Sequence, residues 1–142
     1  MIYISHSPAQ TKELASKLAE KIKKLSHKRA VVIAMEGELG AGKTTFIQGF
    51  AKALGIRVKI KSPTFVLMKN YKKPPYILYH IDCYRLEDHK GLIPLGIKDI
   101  LNDSHSIIMI EWAERVRKIL PAKHITVHID HINTKTRKIY IQ

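Results

Sequence analysis

Residues 36–46 read EGELGAGKTTF, a glycine-rich stretch closed by a lysine and two threonines. Glycine loses more backbone freedom on ordering than any other residue, so a cluster of it needs a reason. Gly37 through Thr44 fits the spacing G-x-x-x-x-G-K-[ST], and the chemistry of phosphate supplies that reason. Phosphate oxygens call for several backbone N–H donors converging on one point, and side chains with a Cβ obstruct such a wrap. The reading gives a phosphate cradle of Gly37, Gly40, Ala41, Gly42, Lys43, Thr44 and Thr45. A helix starting near Lys43 would turn its free N–H groups and its positive dipole end toward the anion. Lys43 would reach the β- and γ-phosphates, and the Thr44 hydroxyl suits Mg²⁺, which prefers hard oxygen ligands. The pattern therefore predicts a nucleotide held with Mg²⁺.

Binding is not turnover. Hydrolysis also needs acidic groups near the metal and a group that places the attacking oxygen. Two apolar runs end in acids: YILYHID closes on Asp82 and SIIMIE on Glu111. Either acid could bind Mg²⁺ directly, act through water or orient the nucleophile. Ser62, Pro63, Thr64 and Phe65 form a hydroxyl-bearing turn of the kind that senses a γ-phosphate in switch loops. The histidines, His80 among them, lack metal-ligand spacing and read as core or surface residues. Cys83 reads as structural.

These residues need elements to hold them. Residues 2–5 suit a short strand, and Ser7, Pro8 and Gln10 form a helix start, with Ser7 as N-cap and Gln10 as its capping-box partner. Leu14, Leu18, Ile22 and Leu25 follow at helical spacing. Residues 30–36 read as a buried β-branched strand feeding the glycine loop. Residues 43–54 read as the helix leaving it, with Phe46, Ile47, Phe50, Ala51 and Leu54 on one face and Gly55 as C-cap. A strand is expected at 56–60, a strand pair around KKPP, and short helices in 85–101 broken at Pro94 and Gly96. Further on come a buried strand at 106–111, a helix at 112–120 stopped by Pro121, and a final antiparallel pair.

The chain has 142 residues, which suits a single domain spanning 1–142. Its formal charge of +13 favours polyanionic partners, or reflects a lysine-rich solvated surface. A single cysteine excludes an internal disulfide and suits a reducing compartment. No apolar run is long enough to span a bilayer and the first residues lack the pattern of a signal peptide, so the expected location is the cytoplasm, with no membrane partner.

GELGAGKTTF, SPTF, HIDCYRL, LGIKDIL and IEW stand in the order of the bacterial tRNA threonylcarbamoyladenosine biosynthesis ATPases of the TsaE family, which this chain resembles from about Thr11 to Arg137. The resemblance implies an α/β fold, a P-loop NTPase-like three-layer arrangement with a mixed parallel and antiparallel sheet. It implies ATP as the nucleotide, and a weak Mg²⁺-dependent ATPase that docks on a pair of partner proteins, TsaB and TsaD, and is not itself the transferase. TsaD attaches the threonylcarbamoyl group to adenosine 37 of tRNAs reading ANN codons, so tRNA is an indirect or weak partner. By the same resemblance, Thr44 and Glu111 are the metal ligands, and Asp82 is the acid near the γ-phosphate and attacking water. Lys43, Asp82 and Glu111 form the catalytic set, Ser62 to Phe65 the switch-like loop. Trp112, Tyr84 and Arg85 fill signature positions, and Thr11 and Arg137 match positions that touch the nucleotide. Two other readings fit a P-loop in a basic chain: a small kinase, for which 142 residues leave little room for a lid, and a basic RNA-binding module, for which no aromatic–basic signature is present.

Overall fold

The computed structural model describes residues 1–38, 40–63 and 66–142. Thr64 and Phe65 of the expected switch-like loop, and Leu39 of the glycine loop, lie outside the described residues.

The chain opens with β1 (Ile2–Ser5) and α1 (Pro8–Lys23). The Ser7 hydroxyl accepts from the Gln10 N–H at 3.1 Å, as an N-cap should. The Gln10 side chain returns not to Ser7 but to the His6 N–H, at 2.7 Å. Thr11, Ala15, Ala19 and Ile22 form the buried stripe of α1, with Leu14 and Leu18 packed at its margin. Leu25 lies beyond the helix end and is 58% exposed, so it does not extend that face as expected.

The core of the sheet is built from strands buried on both faces. β2 (Val31–Glu36) leads through the glycine loop into α2 (Lys43–Ala53). β3 (Met68–Lys73) and β4 (Tyr76–Asp82) are antiparallel neighbours joined at Pro74–Pro75. Then come two short helical segments, a 3₁₀ turn (His89–Leu95) and α3 (Ile97–Asn102), separated at Gly96 with its φ of 78°. β5 (Ser106–Glu111) is buried at every position, as befits a strand covered on both faces. A second 3₁₀ segment (Ala113–Ile119), β6 (Ile125–His131) and β7 (Arg137–Ile141) complete the chain.

All seven strands form one sheet in the order β1-β7-β6-β2-β5-β4-β3. The central four, β6, β2, β5 and β4, run parallel. Antiparallel strands finish both edges, β7 and β1 on one side and β3 on the other. One face carries α1 and α2 over Ile33, Met35, Leu78, Ile107 and Met109. The opposite face of the central strands carries the 3₁₀ segments and α3 over Val32, Ala34, Ile81, Ile108 and Ile110. The result is the mixed-sheet, three-layer α/β fold expected from the sequence.

Two of the expected elements do not form, each for a physical reason. Residues 56–60 form no strand. In a strand, residues 56, 58 and 60 would share one face; here Ile56 and Ile60 bury into the core while Val58 is 62% exposed. Residues 112–120 do not form an α-helix. Trp112 adopts the left-handed conformation (φ 58°, ψ 43°) and Val116 interrupts the turn with φ −129°. Ala113 and Val116, three residues apart, are the buried pair, which matches the tighter 3₁₀ period. Among the described residues, no helix is long and apolar enough to cross a membrane.

Candidate functional site

The glycine loop sits where the parallel strands end. Gly37 follows β2 with φ 137°, and an added Cβ there would collide with the Ile129 carbonyl oxygen of β6. Gly42 stands at the N-cap of α2 with φ 106°, which an L side chain rarely adopts. The chain therefore turns straight from Gly42 into the helix. The N–H groups of the first turn of α2, Lys43 to Thr45, precede the first bond within the helix, Phe46 N–H to the Gly42 carbonyl at 3.0 Å. Thr44 and Thr45 are half-buried in that first turn. Ala41 is buried, and its N–H bonds the Glu38 carbonyl at 3.1 Å, so it shapes the loop more than it offers a donor.

Strand register gathers the carboxylates at the same end. Asp82 pairs with Glu111 across β4 and β5, and Glu111 pairs with Met35 across β5 and β2. Side chains alternate along a strand. His80 and Asp82 of β4 and Glu111 of β5 thus share the face that carries α2, together with Leu78, Ile107 and Met109. All the charged members are buried: Lys43 and Glu111 are 5% exposed and Asp82 7%. Charges removed from water to this degree need partners. The Lys43 ammonium donates to the Gly37 carbonyl and lies 4.9 Å from the Trp112 ring centroid. Asp82 accepts from the Tyr84 N–H at 3.0 Å and the Ser62 hydroxyl at 3.3 Å. Glu111 accepts from His80 Nε2 at 2.6 Å. The Ser62 contact brings the start of the expected switch-like loop onto Asp82, and Pro63 beside it is buried.

Trp112 closes the site. Its left-handed backbone turns the chain directly after Glu111, and the indole stacks obliquely on Tyr84 with centroids 5.1 Å apart. Arg115 lies over both rings, 5.5 Å from Trp112 and 5.7 Å from Tyr84. Tyr84, Arg85 and Arg115 are all exposed, and Trp112 is half-buried.

Arg137 and Thr11 reach the loop by different routes. Arg137 Nε donates to the Ala41 carbonyl at 2.9 Å, so this residue of the last strand braces the loop directly. Thr11 is buried and its hydroxyl bonds the Ser5 hydroxyl at 2.7 Å. Ser5 in turn pairs with Arg137 in the β1–β7 ladder. Thr11 is therefore linked to the loop through Ser5 and Arg137, and its own hydroxyl is engaged with Ser5.

Cys83 is buried, and its thiol is pushed up to about 12, first by burial and then by neighbouring Asp82. At neutral pH such a thiol is not a nucleophile. His80 is the residue whose partner sequence reasoning missed. It is the core histidine that the sequence leads one to expect, but its hydrogen bond to Glu111 is not read from the sequence. The signal was available: it lies two residues before Asp82 on one strand, and residues two apart face the same way.

The donor set fits a nucleotide-borne Mg²⁺ rather than a protein cage. Among the described residues, no three His, Cys, Asp or Glu side chains cluster as a self-sufficient metal site. Mg²⁺ at nucleotide sites is held by one or two side-chain oxygens plus phosphates. Thr44, Glu111 and Asp82 are hard oxygen groups of that kind, and a Cβ at Gly40 would meet nothing within 4 Å.

A central parallel sheet, a glycine loop at the strand ends and a helix leaving it define a P-loop NTPase-like α/β protein. Within that class the chain belongs to the TsaE family: the family model described as "Threonylcarbamoyl adenosine biosynthesis protein TsaE" matches residues 5–139. The chain is 41% identical over 115 residues to the tRNA threonylcarbamoyladenosine biosynthesis protein TsaE of Haemophilus influenzae, covering 81% of this chain and 72% of the relative. It is 35% identical over 133 residues to the Bacillus subtilis protein of the same name, covering 94% and 79%. The crystal structure of Bacillus subtilis YdiB superimposes with a TM-score of 0.77 at 30% identity, over 98% of this chain and 82% of that one.

Proposed function

We propose that this protein is a cytoplasmic, Mg²⁺-dependent ATPase that supports formation of N6-threonylcarbamoyladenosine in tRNA by docking on the TsaB–TsaD pair. The observation that carries this reading is the burial of Lys43, Asp82 and Glu111 together around the glycine loop, at the end of four parallel strands. The relatives' name supplies the pathway.

In this reading, the N–H groups at the start of α2 bind the phosphates and the Lys43 ammonium leaves the Gly37 carbonyl for them. Thr44 and Glu111 would hold Mg²⁺, which neutralises phosphate charge when bound. Asp82, fixed by Ser62 and the Tyr84 N–H, orients the attacking water. Trp112, Tyr84 and Arg115 cover the ammonium side of the site. Hydrolysis is slow in the isolated chain, and nucleotide binding favours the assembly that hydrolysis later resets.

The test is reconstitution. Purified TsaB and TsaD, supplied with tRNA and an activated threonylcarbamoyl donor, should modify tRNA for many cycles only when this chain and ATP are added. Modification that continues over many cycles without the chain would refute the role. Phosphate release without a phosphorylated small molecule would separate hydrolysis from kinase activity.

A further inference from the structure

We propose that His80 is a positioning residue for Glu111: it fixes one carboxylate oxygen and thereby leaves the other aimed for the metal. The inference deepens the Mg²⁺–nucleotide reading above and rests on it.

His80 is fully buried, on β4, and its Nε2 lies 2.6 Å from Glu111 Oε2. A carboxylate oxygen accepts and a ring N–H donates, so Nε2 is the donor of this bond. Nδ1 has no hydrogen-bond partner among the described residues. A buried ring nitrogen without a partner is a cost that packing alone does not explain, since an apolar side chain of similar size would avoid it. What the imidazole supplies in return is a single donor aimed at Glu111.

The geometry makes that donor selective. His80 pairs with Met109 and Asp82 with Glu111, so His80 meets Glu111 diagonally across the parallel strands. With Oε2 held, Oε1 is the carboxylate oxygen left without a partner among the described residues. Glu111 is then a carboxylate with one oxygen committed to the protein, the arrangement by which outer partners orient metal ligands. Asp82 is held differently, by Ser62 and the Tyr84 N–H, so the two acids are oriented independently.

The experiment is calorimetric titration of ADP into wild type and His80 variants, in EDTA and in Mg²⁺. Gln carries its amide nitrogen at the reach of Nε2, whereas Asn is too short and Leu has no donor. The increase in ADP affinity produced by Mg²⁺ should fall about 10- to 100-fold in His80→Asn and His80→Leu. It should recover in His80→Gln, while affinity in EDTA stays within about twofold in all of them. An Asn variant that matches Gln in Mg²⁺ would overturn the proposal even if Leu does not fold. So would equal losses in EDTA and Mg²⁺, which mark a packing role. Absence of any ADP binding by wild type would sink the nucleotide reading and this proposal together; a normal wild type with unaffected variants would sink this proposal alone.

Discussion

Glu111 is the acid on which the proposed metal site and the packing around His80 both bear. It is buried, it accepts from His80, and it stands beside Asp82 in the strand register. Glu111→Ala should leave the chain folded but less stable by roughly 1–3 kcal/mol, because the His80 N–H loses its buried acceptor. Mg²⁺-dependent phosphate release should vanish in the same variant. Glu111→Gln keeps an acceptor oxygen and should recover most of the stability without the activity; thermal melts and a phosphate assay check both. Cys83 gives a pH prediction. Its thiol is raised to about 12 in the folded chain against 9.0 for a free thiol. Between those values the unfolded chain releases a proton that the folded chain keeps, so stability falls as pH rises above 9.0 and the contribution is fully present below it. The fall is about 1.4 kcal/mol per pH unit. Denaturant melts of wild type and Cys83→Ala between pH 8 and 11 should show a shallower pH dependence in the variant. At this scale the sequence was informative where residue type dictates chemistry: Gly37, Gly42, Lys43, Asp82 and Glu111 were legible. His80 was legible only as a residue facing the same way as Asp82; its hydrogen bond to Glu111 on the next strand was not.

Helices α1 and α2 meet so closely that a methyl group matters. A Cβ on Gly49 would come 2.5 Å from the Lys12 Cα and 2.7 Å from its carbonyl oxygen. Ala usually stabilises a helix relative to Gly, but here overpacking should win. Gly49→Ala is expected to destabilise by about 1–3 kcal/mol, with α1 displaced from α2. Gly96→Ala, whose Cβ would meet nothing within 4 Å, isolates backbone strain from packing. Its φ of 78° should alone cost about 1 kcal/mol. Chemical denaturation of the two variants measures the difference. Strands and the two main helices were readable from their periods, as β5 and α2 show. The segments 56–60 and 112–120 were not, because burial of Ile56 and Ile60 and the left-handed turn at Trp112 are imposed by tertiary packing.

Taken as a whole, the molecule is a site mounted at one end of a sheet, its strands finished at both edges by antiparallel neighbours. The edge strand β3 carries Lys69, Lys72 and Lys73, which discourages edge-to-edge pairing with other chains. In the proposed function the formal charge of +13 would act at this scale as well, favouring approach to an acidic or nucleic-acid-bearing assembly. Fold and family were legible because the motifs span nearly the whole chain, as the family match over residues 5–139 does. In the proposed function the isolated chain should bind the TsaB–TsaD pair more tightly than it binds tRNA. Parallel titrations at several salt concentrations test that order, and tight tRNA binding with a steep salt dependence would reverse it.

The central claim is that the start of α2 and Lys43 grip a nucleotide's phosphates. The most direct measurement is calorimetric titration of ATP with Mg²⁺ into wild type and Lys43→Ala. Wild type should bind one ATP, and the variant should bind at least about tenfold more weakly, equivalent to about 1.4 kcal/mol. Equal affinity in the two proteins would place the nucleotide elsewhere and contradict the account.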